Sequence, residues 1–258
     1  MKLLLILLFL ISGCAKFKAL TTRTEKAENI KLKGYSEYET NDYIEHMNAL
    51  KTPYLSSREI QQVNLRKSDI KYLEEIANTI ITKNELFFKT SKIPNFFIVD
   101  SDTPFHFSLP GMNIFMSSGL VKKYIKSEKL LYCLITYELI RTEKNLYKTN
   151  LIVPTGALST RRMLSLLRLN IKEKVEVHKW AFYLLKRVDI DTDNYLSWLQ
   201  IQNRNSVDFS LQLGDISSIS REESLFKSFI IKNTKKKRRS QYEGSSKKFY
   251  TFVKNLKR

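Results

Sequence analysis

The sequence predicts an α+β fold, in which a small antiparallel sheet packs against several helices. Two observations support this prediction. Between residues 95 and 118, three short runs typical of β-strands follow one another, NFFIVD, FHFSL and NIFMSS. Pro110-Gly111 is a turn signal between the last two runs. On both sides of this segment, apolar residues recur at the spacing of a helix.

The helical patterns predict four helices, taken in chain order. Ser68 is placed to cap the first, whose apolar positions are Ile70, Leu73, Ile76, Ala77, Ile80 and Ile81. Ser127-Glu128 opens the second, with an apolar stripe at Leu130, Leu131, Leu134, Ile135 and Leu139. A third helix runs from about Ile171 to Arg187, and a fourth contains Tyr195, Trp198 and Leu199.

Composition restricts the classes of partner and site. The 258 residues carry a net charge of +18, so the chain should attract polyanions such as nucleic acid, an anionic membrane face or acidic glycans. Two cysteines exclude a disulfide-framework protein and a cysteine-rich zinc ribbon. Three histidines, His46, His106 and His178, are a poor supply for a multi-histidine metal site.

The N-terminus predicts export and lipid anchoring. Lys2 precedes an apolar run from Leu3 to Ile11, which is far shorter than a membrane span, and Ser12 and Gly13 lead into Cys14. This ending resembles the lipobox of bacterial lipoproteins, which implies cleavage after residue 13 and acylation of Cys14. Ala15 follows, so we expect the periplasmic face of the outer membrane if the cell has two membranes. Export also disfavours nucleic acid as a partner.

The chain therefore divides into four predicted parts. Residues 1–13 are a signal peptide, 14–60 a lipid-anchored tether and entry segment, 61–220 the folded domain and 221–258 a basic C-terminal tail. The tail has 13 Lys or Arg against 3 Asp or Glu and includes KKKRR at 235–239. Such a run is either solvated charge or a contact with an anionic envelope surface. Its apolar end could dock on the domain or on lipid.

Residues 98–145 resemble the HtpX and CAAX-prenyl-protease family of zinc metallopeptidases, in its exported lipoprotein branch. The segment 104–111, PFHFSLPG, is similar to that family's N-A-F-A-L-P-G-G motif, and IFMSSGL at 114–120 to the strand and Gly-Leu turn after it. Ser127-Glu128 and Leu134-Ile135-Thr136 match the approach to the zinc helix. The resemblance implies a gluzincin-type domain whose motif helix is central.

The sequence departs from this family at the positions of the metal ligands. The metal motif H-E-x-x-H reads Tyr137-Glu138-Leu139-Ile140-Arg141. A guanidinium has no lone pair for zinc, and Tyr137 could ligate only as a phenolate. Glu138 stands at the family's general-base position, and the third ligand position falls on Lys174 in the preferred register. We therefore expect no cofactor, and treat Tyr137, Arg141 and Lys174 as degenerate ligand positions.

Alternatives remain open at the same residues. A register slip could bring Glu173 or Glu176 inward, and zinc could then bind with His106. In the other interpretation Glu138 pairs with Arg141 or Lys174 and holds two helices together. His178 is then an interhelix or surface histidine rather than a ligand. Cys133 should be a free, buried thiol once Cys14 is acylated.

Three functions follow from these residues. The first is a catalytically inactive metallopeptidase-like lipoprotein of the cell envelope that binds peptides or proteins, or serves quality control. The second is an active zinc endopeptidase with an atypical ligand set. The third is a basic adaptor that works through residues 221–258 at the envelope surface.

Overall fold

The computed structural model describes residues 40–85, 87–88, 92–147, 158–233 and 244–256. Within these ranges the chain has the predicted α+β class, with a small sheet and many helices. The signal peptide at 1–13, Cys14 and the basic run at 235–239 lie outside the described residues. No helix in the described ranges is both long enough and apolar enough to cross a bilayer.

The helices and strands follow in a simple order. From residue 40 onwards, three helices precede the sheet: α1 (Thr40–Ala49), α2 (Lys51–Leu55) and α3 (Lys67–Lys83). The strands are β1 (Asn95–Val99), β2 (His106–Leu109) and β3 (Asn113–Ser117). The later helices are α4 (Ser118–Lys123), α5 (Glu128–Glu143), α6 (Thr160–Leu166), α7 (Ile171–Arg187), α8 (Asp193–Arg204), α9 (Ser210–Leu213), α10 (Ser217–Asn233) and α11 (Lys247–Asn255).

Local signals placed most of these elements correctly. The three strands, α7, α8 and the Ser127 cap of α5 are confirmed. The Ser68 cap is wrong, because α3 begins at Lys67. The carbonyl of Arg66, whose backbone is extended, accepts the first main-chain hydrogen bonds from the N–H groups of Asp69 and Ile70.

The sheet is mixed, which corrects the prediction of an antiparallel sheet. Its strand order is β1-β3-β2, with β1 parallel to β3 and β2 antiparallel to β3. The Pro110-Gly111 turn, with Gly111 at a φ of 77°, makes β2 and β3 a tight hairpin. The segment 100–105, which links β1 to β2, has no such turn. It leaves a gap between β1 and β2, and β3 fills this gap.

The sheet separates two hydrophobic clusters, because alternate residues of a strand face opposite sides. Phe105, Phe107 and Leu109 face the cluster that contains α1, α2 and α6. The residues between them, His106 and Ser108, therefore face the other side, where α3, α5, α7 and α8 pack. This alternation directs two polar side chains of β2 towards helix α5.

The described parts of the predicted tether and tail are packed helices. Tyr43, Met47 and Tyr54 of α1 and α2 are buried against the sheet, so residues 40–60 are not a simple tether. Helix α10 crosses the predicted end of the domain at residue 220 and buries Phe226. The ring of Phe252 on α11 lies 5.8 Å from that of Tyr72. Apolar stripes on basic helices explain this docking, because the lysines lie on the outer faces.

Candidate functional site

The centre of the candidate site is the Glu138 carboxylate on α5. Glu138 has no exposed surface, and it lies opposite the polar side chains of β2. Its Oε1 receives a hydrogen bond from His106 Nδ1 at 2.5 Å, and its Oε2 receives one from Ser108 Oγ at 2.6 Å. Arg141 Nη1 lies 3.3 Å from the same Oε2. Three donors thus converge on one carboxylate.

These contacts keep Glu138 ionised. Burial alone would raise the pKa of its carboxyl, but the charge of Arg141 and the hydrogen bonds from His106 and Ser108 outweigh burial and lower it. An ionised carboxylate can only accept, so the Nδ1 of His106 is the donor in their contact. The second nitrogen of the His106 ring, Nε2, is therefore the one left for other contacts.

The flanking motif positions do not fit a zinc ion. Arg141 is 3% exposed, and its Nη2 donates to the carbonyl of Leu167 at 2.6 Å. Burial raises the pKa of the Tyr137 phenol well above its ordinary value, and the nearby charge of Arg141 only partly opposes this. Tyr137 is thus a neutral phenol rather than a phenolate ligand, and a guanidinium offers no lone pair.

A second buried carboxylate lies beside the first cluster. Glu222 on α10 accepts from His178 Nε2 at 2.6 Å and from Lys174 Nζ at 3.2 Å. His178 Nδ1 lies 2.8 Å from the hydroxyl of Tyr195 on α8. Burial would raise the pKa of Glu222, but His178 and Lys174 outweigh burial and lower it. Lys174 therefore pairs with Glu222, and Glu138 pairs with Arg141.

The two alternative ligand candidates on α7 lie elsewhere. Glu173 forms a capping box with Asn170, whose main-chain N–H donates to it at 2.9 Å. Glu176 pairs with Lys179 at 2.5 Å on the exposed side of the helix. Across the described ranges, no group of three or more His, Cys, Asp or Glu is arranged to hold a metal ion.

A small cavity connects the two carboxylate clusters. Its volume is about 30 Å³, and Tyr137, Arg141, His106 and His178 are among the residues that line it. The rings of His106 and His178 each lie 5.7 Å from that of Tyr137. The degenerate positions Tyr137, Arg141 and Lys174 all line this space, so the structure brings the predicted site residues together.

Sequence reasoning missed two charged residues of the site. Glu222 sits in the predicted basic tail, and Arg168 precedes α7; both line the cavity. A signal for Glu222 was available, because Ile219, Glu222, Phe226 and Ile230 recur at helical spacing and place one acid on an apolar stripe. Arg168 had no such signal, since its position depends on how the loop before α7 folds.

Comparison of the chain with the known protein families and with curated protein sequences gives no match.

Proposed function

We propose that the protein is a non-catalytic, lipid-anchored relative of the HtpX-type metallopeptidases that binds extended peptide segments in the bacterial cell envelope. The observation that carries this proposal is the enclosure of Glu138. A general base needs a lone pair directed at water, whereas this carboxylate has no exposed surface and both of its oxygens accept hydrogen bonds, from His106, Ser108 and Arg141. Glu138 therefore acts as the anchor of a buried polar network.

The outer edge of β2 supports peptide binding as the retained property. Strand β2 lies at one edge of the sheet, next to the candidate site. The main-chain N–H of His106 donates to the side-chain oxygen of Gln212 at 2.9 Å. Gln212 belongs to α9, and its amide oxygen takes the place that a carbonyl of an added strand would take. A bound peptide would replace this hydrogen bond with its own.

The envelope location rests on the N-terminal segment. The apolar run before Cys14 and the small residues at 12 and 13 favour cleavage and acylation of Cys14. Lysines on the outer faces of α10 and α11, such as Lys227 and Lys254, add a contact with an anionic envelope surface. The partners we propose are the membrane, through the lipid, and an envelope peptide or protein, through β2.

Binding and cleavage are tested together on full-length protein in detergent, with a set of fluorescein-labelled unstructured peptides. Fluorescence anisotropy measures binding, and electrophoresis after incubation with added zinc measures cleavage. We expect binding without cleavage, and tighter binding by Gln212→Ala because that variant removes the competing amide. Gln200→Ala on α8, which does not line the cavity, is the control.

Zinc-dependent cleavage that disappears in Glu138→Gln would contradict the proposal and support the zinc endopeptidase. Absence of binding to every peptide, by both the wild-type protein and Gln212→Ala, would remove β2 as the binding edge. The adaptor function would then be tested by replacing the exposed Lys227, Lys247 and Lys254 with glutamine, which keeps the packed helices, and measuring binding to anionic vesicles.

A further inference from the structure

The cavity between the two carboxylate clusters carries an excess of positive charge. Three permanent cations line it, Arg141, Arg168 and Lys174. Glu138 lies 3.3 Å from Arg141 and Glu222 lies 3.2 Å from Lys174, so these two cations have a counter-charge. Among the described residues, no carboxylate pairs with Arg168, which leaves one positive charge in excess. Buried charge of one sign is costly without a counter-charge, so this lining favours an anion.

Two guanidinium groups of this lining have unused donors. The Nε atoms of Arg141 and Arg168 are buried and make no hydrogen bond within the described part of the chain. The other contacts of these side chains are made by their terminal nitrogens, such as Arg168 Nη2 to the Leu211 carbonyl at 3.4 Å. A buried N–H without an acceptor costs about 1–3 kcal/mol. Two such donors beside one cavity indicate an acceptor with negative charge.

The size and the rim of the cavity restrict this anion. A volume of about 30 Å³ admits a group of a few atoms. Arg168, Lys174 and Gln212 at the rim are partly exposed, so a group attached to a larger molecule could enter from solvent. These features suit a carboxylate, which has two acceptor oxygens that match the donors of a guanidinium.

Gly214 places one of the cations at the rim. Its φ is 74°, and a Cβ at this position would lie 2.1 Å from Arg168 Cζ. The guanidinium of Arg168 therefore packs directly against the main chain of Gly214. An alanine at position 214 would displace Arg168 without removing its charge.

We propose that this cavity is a binding site for a carboxylate group, supplied either by a small organic acid or by the C-terminus of a peptide. Arg141 forms the floor of the site, and Arg168 and Lys174 form its rim. This proposal does not rest on the proposed function. The charges and the two Nε donors without an acceptor lie on Arg141, Arg168 and Lys174, and they do not depend on whether a peptide binds at the edge of β2.

The test is calorimetric titration of full-length protein in detergent at constant ionic strength. Sodium acetate, a short peptide with a free C-terminus and the same peptide as its C-terminal amide are the three probes. We expect acetate to bind, and the free-acid peptide to bind more tightly than its amide, which keeps only contacts that do not use the C-terminal carboxylate. Arg168→Gln should weaken binding about tenfold, which corresponds to about 1.4 kcal/mol. Lys172→Gln, an exposed lysine of α7 that does not line the cavity, should leave it unchanged.

The arms of the test separate the two sources of carboxylate. Tighter binding of the free-acid peptide than of both acetate and the amide assigns the site to a peptide C-terminus, and equal affinity of acetate and the free-acid peptide assigns it to a small acid. If Arg168→Gln does not fold, Arg168→Lys tests the same point, because it keeps the charge and removes the Nε donor of the guanidinium. The proposal is overturned if neither carboxylate binds, or if Arg168→Gln and Lys172→Gln weaken binding equally.

Discussion

Replacing Glu138 with alanine should destabilise the fold strongly, because the change leaves Arg141 as a buried charge without its partner. Arg141 is 3% exposed, and its remaining hydrogen bond is the one from Nη2 to the Leu167 carbonyl. Ser108 and His106 also lose their acceptor. Breaking a buried ion pair from one side costs about 3–5 kcal/mol. That is a large part of the total stability of a typical domain.

The chain contains a matched control for this prediction. Glu176 and Lys179 have the same i, i+3 spacing as Glu138 and Arg141, but their side chains are 58% and 35% exposed. Because exposed ion pairs contribute about 0–1 kcal/mol, Glu176→Ala should change stability very little. Urea unfolding followed by circular dichroism measures both variants.

A double substitution separates the charge from the loss of packing. Glu138→Gln with Arg141→Met removes both charges, so its cost should be smaller than the sum of the two single costs. If Glu138→Ala unfolds within about 1 kcal/mol of the wild-type protein, the carboxylate is not the anchor of a network. The structural role assigned to Glu138 would then be refuted, and a role in chemistry would regain support.

Three further outcomes follow from the described residues. Folding lowers the pKa values of Glu138 and Glu222 below the ordinary 4.5. The stability that these carboxylates contribute is therefore complete above pH 4.5 and is lost as the pH falls through their folded pKa values. In acid unfolding, the stability of Glu138→Gln should depend less steeply on pH than that of the wild-type protein. Gly119→Ala should lower the unfolding midpoint, because its Cβ would lie 2.4 Å from the Asp102 carbonyl oxygen, whereas Gly244→Ala, with no atom within 4 Å, should not. Burial raises the pKa of the Cys133 thiol, so a thiol reagent should label Cys133 only after denaturation; rapid labelling of the folded protein would contradict its burial.

The elements that local sequence signals specify were predictable. Helix α7 has the predicted ends because Asn170 and Glu173 form its capping box and apolar residues recur along one face. The three strands were recognisable from their β-branched and aromatic residues and from the turn at Pro110-Gly111. Cys133 is a free, buried thiol, as predicted.

The features that depend on distant contacts were not predictable. The parallel pairing of β1 with β3 requires β3 to enter between two strands, and no short-range signal specifies this. The apolar end of the tail could dock on the domain or on lipid, and Phe252 of α11 is buried in the domain. The basic charge gave no indication that α10 belongs to the core, yet its Phe226 is fully buried. The sequence could show that Tyr137 and Arg141 are unsuited to zinc. It could not show that Ser108 and His106 donate hydrogen bonds to the Glu138 carboxylate.

The zinc content of the full-length protein, purified in detergent without chelator and measured by elemental mass spectrometry, tests the account most directly. The neutral phenol of Tyr137, the guanidinium of Arg141 and the buried, hydrogen-bonded carboxylate of Glu138 predict a zinc content near zero. About one zinc per chain would contradict the account, because a structural site needs four ligands that the described side chains do not provide.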